Sequence, residues 1–265
     1  MIIDFHTHAF PVSLAPRAIE SLAAISQYPP VLDGTLDDLR RSMERAGIDA
    51  SVVLNIATNA RQTENVNSFA IKSSEIEGII PFGSIHPDYT NVKAELARLS
   101  AAGIKGLKFH PDFQDFRVDD KRRMYPLYEE ALRYGFIMIF HCGHDLDRRT
   151  DYNCTPESFA RVVRDFAGAK IVGAHLGGQD MWDEVFEHTC GLDVYLDVSY
   201  SFGLLTDAQL ARFLAGHDHK KILFGTDSPW QEQAEDVKMM RARIKNDALY
   251  SAIMGGNAAD LLGIS

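Results

Sequence analysis

The 265-residue chain lacks the features that announce several protein classes. Cysteine is scarce: Cys142, Cys154 and Cys190 are an odd three with no close pair along the chain. A disulfide framework is not expected, and a reducing cytoplasm is the natural setting. Long apolar runs are missing. Stretches such as 136–140 are strand-sized, far below the ~18 apolar residues of a membrane span. The opening Met-Ile-Ile-Asp has neither a basic region nor a long apolar segment, so no signal peptide is expected. Positive charge is in deficit, with 27 Lys and Arg against 37 Asp and Glu and a formal net charge of −10. Such a chain repels phosphate backbones unless it hides a basic patch. The one short basic run, Lys121-Arg122-Arg123, reads as a solvated helix start. Neither nucleic acid nor a membrane is expected as a partner.

What is present is a composition able to bury a large core, 46% hydrophobic and 24% charged, together with 10 histidines. Short apolar runs alternate with amphipathic stretches from end to end. The strand candidates are 2–5, 50–55, 79–85, 104–109, 136–140, 170–174, 192–198 and 221–224. Most are continuously apolar, which suits parallel strands buried on both faces. Helices are expected from Thr35 to Ala46, over 91–102, 125–134, 155–168 and 206–216, over 233–244, and in one or two short pieces over 247–262. Thr35, Thr155 and Thr206 stand at N-cap positions, with Pro156 at a first helical position. Loops are expected over 9–34 and 141–154. Alternation of this kind demands parallel pairing through helical crossovers. Eight such units in about 250 residues match a single (β/α)8 TIM barrel with extra C-terminal helices; an open doubly wound sheet is the alternative. No linker or composition shift divides residues 1–265, so one domain is expected.

In a barrel, catalytic groups sit where strands end. The first run ends Asp4-Phe5-His6-Thr7-His8, and strand alternation turns His6 and His8 the same way. Alone, that pair reads first as satisfied or exposed histidines. The fifth run ends at His141-Cys142-Gly143, the sixth at Ala174-His175-Leu176-Gly177-Gly178, and the eighth at Gly225-Thr226-Asp227-Ser228-Pro229-Trp230. Four imidazoles and a carboxylate then converge on one end. Such N/O donors suit Zn2+ first, with Fe2+ or Mn2+ as alternatives.

At these residues, and at Gly106-Leu107-Lys108-Phe109-His110-Pro111 and Gly256-Asn257-Ala258-Ala259-Asp260, the chain resembles the amidohydrolase superfamily. It is more similar to the amidohydrolase-related branch that includes decarboxylases of the aminocarboxymuconate-semialdehyde type. The resemblance covers essentially the whole chain. It implies that His6, His8, His141 and Asp227 bind one divalent metal. It implies that His175 is either an acid/base beside that metal or a ligand of a second. Asp227 would accept the proton of an attacking water. Lys108 is open between a carboxylated bridge, a cation for a substrate carboxylate and a structural ion pair. His110 and Trp230 are candidate substrate contacts. The resemblance further implies a small-molecule substrate and, in many members, a homodimer.

Other residues are weaker candidates. His86 and His144 fall on the catalytic end; Phe202, Arg61, Arg148 and Arg149 are pocket candidates that read more simply as packing or surface. His188, His217 and His219 are expected at the surface, Asn257 as a helix cap against the barrel, and Cys142 on the face away from His141. Hydrolysis of an amide, ester or lactone is the first expectation of function. Metal-dependent decarboxylation and a non-catalytic ligand-binding barrel are the alternatives.

Overall fold

The structure is a computed structural model that describes residues 1–26, 29–145 and 152–264. Eight strands form in chain order: β1 (Ile3–Thr7), β2 (Ala50–Leu54), β3 (Ile79–Phe82), β4 (Gly106–Phe109), β5 (Ile137–Phe140), β6 (Ile171–Gly173), β7 (Tyr195–Asp197) and β8 (Ile222–Leu223). Their residues are almost all buried, as double-faced apolar runs require. Pairing is parallel throughout, β1-β2-β3 on one side and β4 through β8 on the other.

Backbone hydrogen bonds close both seams between these two sheets. At the β3–β4 seam, Gly83 N donates to Gly106 O (2.9 Å) and Lys108 N to Gly83 O (2.8 Å). At the other, Phe5 N reaches Phe224 O (2.8 Å), Asp227 N reaches His6 O (2.7 Å) and His8 N reaches Ser228 O (2.7 Å). The strands thus form the ring of a (β/α)8 barrel, which leaves no sheet edge to protect. Phe5, Val52, Leu54, Phe82, Ile139, Val172 and Leu223 belong to its interior.

Two helices, α1 (Ala15–Ser26) and α2 (Leu36–Ala46), lie between β1 and β2. One helix then follows each later strand: α3 (Thr63–Ser73), α4 (Val92–Ala101), α5 (Tyr125–Arg133), α6 (Pro156–Asp165), α7 (Trp182–His188), α8 (Asp207–Gly216) and α9 (Gln233–Arg243). The chain ends in α10 (Asp247–Ser251), one π-helical turn (Ala252–Gly256) and α11 (Asn257–Leu262). α11 gives Ala258, Leu261 and Leu262 to the interior cluster. The π turn sits against the start of β1, where a Cβ on Gly255 would lie 2.4 Å from Met1 O.

The threonine caps form. Thr35 accepts from Asp38 N, Thr155 from Ser158 N, and Thr206 makes a reciprocal box with Gln209. The segment 9–34, expected as loop, contains α1, and α3 and α7 were also not foreseen. Neither α3 nor α7 has a side-chain N-cap, so no local signal marks its start. The later strands are shorter than their apolar runs, because buried loop residues such as Val198 and Phe224 continue the pattern. His217 is not at the surface. It is 4% exposed, takes a hydrogen bond from Gly191 N on Nδ1, gives one from Nε2 to Val194 O, and stacks on Phe213. Asn257 is no helix cap: its amide donates to the carbonyls of His219 and Ile222, 2.7 Å each, and ties α11 to the start of β8.

Candidate active site

The β1 strand delivers two histidines to the barrel mouth by breaking its own alternation. Ile3 and Phe5 face the interior, whereas Asp4 bonds Gln233 of α9 at 2.8 Å. Strict period two would next turn Thr7 inward. The register against β2 instead shifts between Asp4 and Thr7, a bulge of the kind that re-aims side chains. His6 and His8 then converge, Nε2 to Nε2, at 3.2 Å. Asp227, from the loop after β8, places Oδ1 3.3 Å from His6 Nε2 and 3.1 Å from His8 Nε2.

The far side of each ring decides what these atoms are. His8 Nδ1 lies 2.8 Å from Leu54 O, and a carbonyl only accepts, so Nδ1 carries the proton. His6 Nδ1 donates to Asp197 Oδ2 at 2.9 Å. Both rings therefore turn an Nε2 lone pair toward Asp227. Two lone pairs and a carboxylate oxygen this close repel one another unless a cation lies between them. A divalent ion fits that donor set, with the outer hydrogen bonds fixing the tautomers it needs.

A second pair repeats the pattern. His175 Nδ1 faces Ser199 O at 3.1 Å and Ser199 Oγ at 2.9 Å. His141 Nε2 faces His144 O at 3.3 Å. What remains, His175 Nε2 and His141 Nδ1, are lone pairs 3.2 Å apart. Among the described residues, the groups whose donor atoms all lie within 4.8 Å are His6–His8–Asp227, His6–His175–Asp197 and His110–His141–Asp145. His141 therefore stands beside the first trio rather than within it.

Lys108 is fully buried on β4, and its Nζ has no hydrogen-bond partner. Among the described residues no ion pair holds it; Asp197 and Asp227 act on it through space. His110 stacks on His141 with centroids 4.2 Å apart, takes Phe113 N on Nδ1, and turns Nε2 toward Asp145 at 3.4 Å. Trp230 is buried in the loop that carries Asp227, its N–H on the Asp227 carbonyl.

Burial dominates the site's electrostatics. It drives His6 and His110 well below the ordinary imidazole range, His141 to about 3 and His175 to about 4, with neighbouring cations adding to the effect. Neutral imidazole is the ligating form. Burial also lowers Lys108 and raises Asp197. Burial pushes Asp227 up as well, but His6 and His8 outweigh it and hold this carboxyl well below the usual range. His175, Leu176 and Asp227 all adopt left-handed backbone, at φ +55°, +58° and +63°, which concentrates strain at the mouth.

The remaining candidates divide. His86 is buried before Pro87, with Asp88 N on its Nδ1. His144 stacks on Tyr152 and gives His141 its carbonyl. Phe202 packs edge-on against Phe213 in the core, and Arg61 is exposed. Arg148 and Arg149 lie outside the described residues. Cys142 turns into the outer core, its Sγ 3.4 Å from that of Cys154; both are free thiols. Sequence reading missed Asp197 and Ser199, although Leu196-Asp197-Val198-Ser199 ends the seventh run as His141 ends the fifth.

Fold and site together are those of the metal-dependent (β/α)8-barrel class. The Amidohydrolase family model matches residues 3–264, and the chain belongs to that family. Several solved structures share the fold. An uncharacterised TIM-barrel protein from Bordetella bronchiseptica is 23% identical, with TM-score 0.77 over 99% of this chain and 98% of that one. A 5-carboxyvanillate decarboxylase from Sphingomonas paucimobilis is 16% identical, with TM-score 0.71 over 100% and 99%. A probable 2-pyrone-4,6-dicarboxylic acid hydrolase from Acinetobacter baumannii, solved with citric acid bound, is 15% identical, with TM-score 0.69 over 99% of each chain. No curated protein matches the chain.

Proposed function

We propose that the chain is a metal-dependent hydrolase acting on an amide, ester or lactone bond of a small molecule that carries a carboxylate. His6, His8 and Asp227 would hold the ion, with His141 completing the set or, with His175, serving a second position. Zn2+ suits these donors, as do Mn2+ and Fe2+. When bound, such an ion polarises a carbonyl oxygen and acidifies water.

The observation that carries this reading is a pair of proton acceptors beside an unpaired cation. Asp227 is held as the carboxylate, and its second oxygen, the one not turned toward His6 and His8, can take the proton of an attacking water. His175 presents a neutral Nε2 lone pair that can move a proton to the leaving group. Lys108 Nζ, buried and lacking any hydrogen-bond partner, is suited to hold a substrate carboxylate. His110 and Trp230 would line the same space.

Decarboxylation is a second reading. It is supported by the unpaired Lys108, which could equally hold the departing carboxylate, and by the likeness to a carboxyvanillate decarboxylase. The two reactions separate in one assay. Metal-loaded protein is given carboxylate-bearing lactones and hydroxybenzoates, and proton release at constant pH and evolved CO2 are measured. Hydrolysis predicts proton release without CO2, falling about 100- to 10,000-fold in Asp227→Asn. CO2 release would transfer the case to the second reading. Turnover unaffected by Asp227→Asn would contradict both.

A further inference from the structure

We propose that Asp197 is the positioning residue of this site: it fixes where the proton of His6 resides, supports that of His175 through Ser199, and binds the two histidines to each other. The inference rests on the reading of His6 as a metal ligand.

Asp197 ends β7 with no solvent exposure. Its carboxylate collects four donors. Oδ2 takes His6 Nδ1–H at 2.9 Å. Oδ1 takes the backbone N–H of His175 at 3.1 Å, that of Ser199 at 3.1 Å, and the Ser199 hydroxyl at 2.5 Å. A carboxylate has no proton to give, so each of these four hydrogens points at residue 197. Ser199, having donated to Asp197, can only accept from His175 Nδ1–H at 2.9 Å and lies 3.1 Å from His6 Nδ1. With the Ser199 carbonyl also 3.1 Å from His175 Nδ1, both rings are left with one tautomer, and both Nε2 atoms carry lone pairs. The same carboxylate holds the His175 backbone N–H within the left-handed turn at His175 and Leu176. One side chain thus sets the ring of His6 and the seat of His175.

An amide of the same shape would reverse part of this. With asparagine at 197, the carbonyl oxygen keeps the backbone N–H groups, and the amide N–H2 turns toward His6 Nδ1. His6 Nδ1 must then accept, and its proton moves to Nε2, among the atoms that face Asp227.

Metal-free protein labelled with nitrogen-15 histidine reads this directly through long-range proton–nitrogen correlation spectra, with His6 assigned by its loss in His6→Gln. Wild type is expected to show His6 protonated on Nδ1, and Asp197→Asn to show it protonated on Nε2. Zn2+ affinity, measured by chelator competition, is expected to fall about 10- to 100-fold in Asp197→Asn with every direct ligand intact. Ser199→Ala is expected to move the His175 signals and leave the His6 tautomer unchanged. A wild-type His6 protonated on Nε2 would overturn the proposal, even if Asp197→Asn does not fold. So would an Asp197→Asn protein with unchanged tautomer and affinity within twofold of wild type. If wild type shows the stated tautomer yet binds no metal, the metal reading fails and the proton positioning stands.

Discussion

His141 and His175 are neutral at pH 7 because burial beside Lys108 leaves their charged forms unsolvated. Neutrality makes them proton acceptors or ligands and leaves Asp227 as the carboxylate on the Nε2 side of His6 and His8. Replacing Asp227 with Asn keeps the shape and removes that charge. Purified Asp227→Asn protein, analysed for metal by mass spectrometry, is expected to retain less than a tenth of wild-type content. His217 offers a test away from the site. Burial lowers it to about 4, so the folded protein resists a proton that the unfolded chain takes near pH ~6.5. Its contribution is complete above that pH and is lost as pH falls toward 4. Compared with His217→Gln, wild type should lose about 1.4 kcal/mol more per pH unit between those limits in urea titrations. At pH 7 the variant should be less stable by about 1–3 kcal/mol, from the Gly191 and Val194 hydrogen bonds it loses. The positions of His6, His8, His175 and Asp227 were legible because each terminates an apolar run. Asp197 was not weighed, since its role depends on a ring 191 residues away in sequence. His217 was misjudged because it falls between elements, where sequence gives no burial signal.

The eight strands were legible as elements because continuous apolar runs separated by capped helices admit few other arrangements. Their ends were not, since buried loops carry the same composition as strands. The bulge in β1 was also invisible: the alternation argument brought His6 and His8 to one face correctly but implied an unbroken phase with Phe5. β8 has little room beside this bulge. A Cβ on Gly225 would stand 2.9 Å from His6 Cβ. Gly225→Ala is therefore expected to displace His6, costing about 1–3 kcal/mol of stability and weakening metal binding, both measurable by thermal melts with and without metal. Gly143, after β5, is tighter still. It sits at φ +84°, and a Cβ there would meet Gln179 N at 2.2 Å. Its substitution should disturb the placement of His141, two residues earlier in the chain, and should lower the melting temperature even without metal.

At the scale of the whole molecule, the net charge of −10 says little about the substrate, because the site holds its own balance of one lysine, three buried carboxylates and several neutral imidazoles. Among the described residues, no helix is long and apolar enough to cross a membrane. An ion that draws together β1 and the loop after β8 bridges one seam of the barrel ring, so its binding should stabilise the entire fold. Metal at 100 times its dissociation constant is expected to add about 2.7 kcal/mol, raising the melting temperature by roughly 5–10 °C. The direct test of the metal centre is anomalous diffraction at the zinc edge from crystals grown with Zn2+. The predicted result is a peak between His6 Nε2, His8 Nε2 and Asp227 Oδ1. A structure with no peak there, or with zinc only at His110, His141 and Asp145, would contradict it.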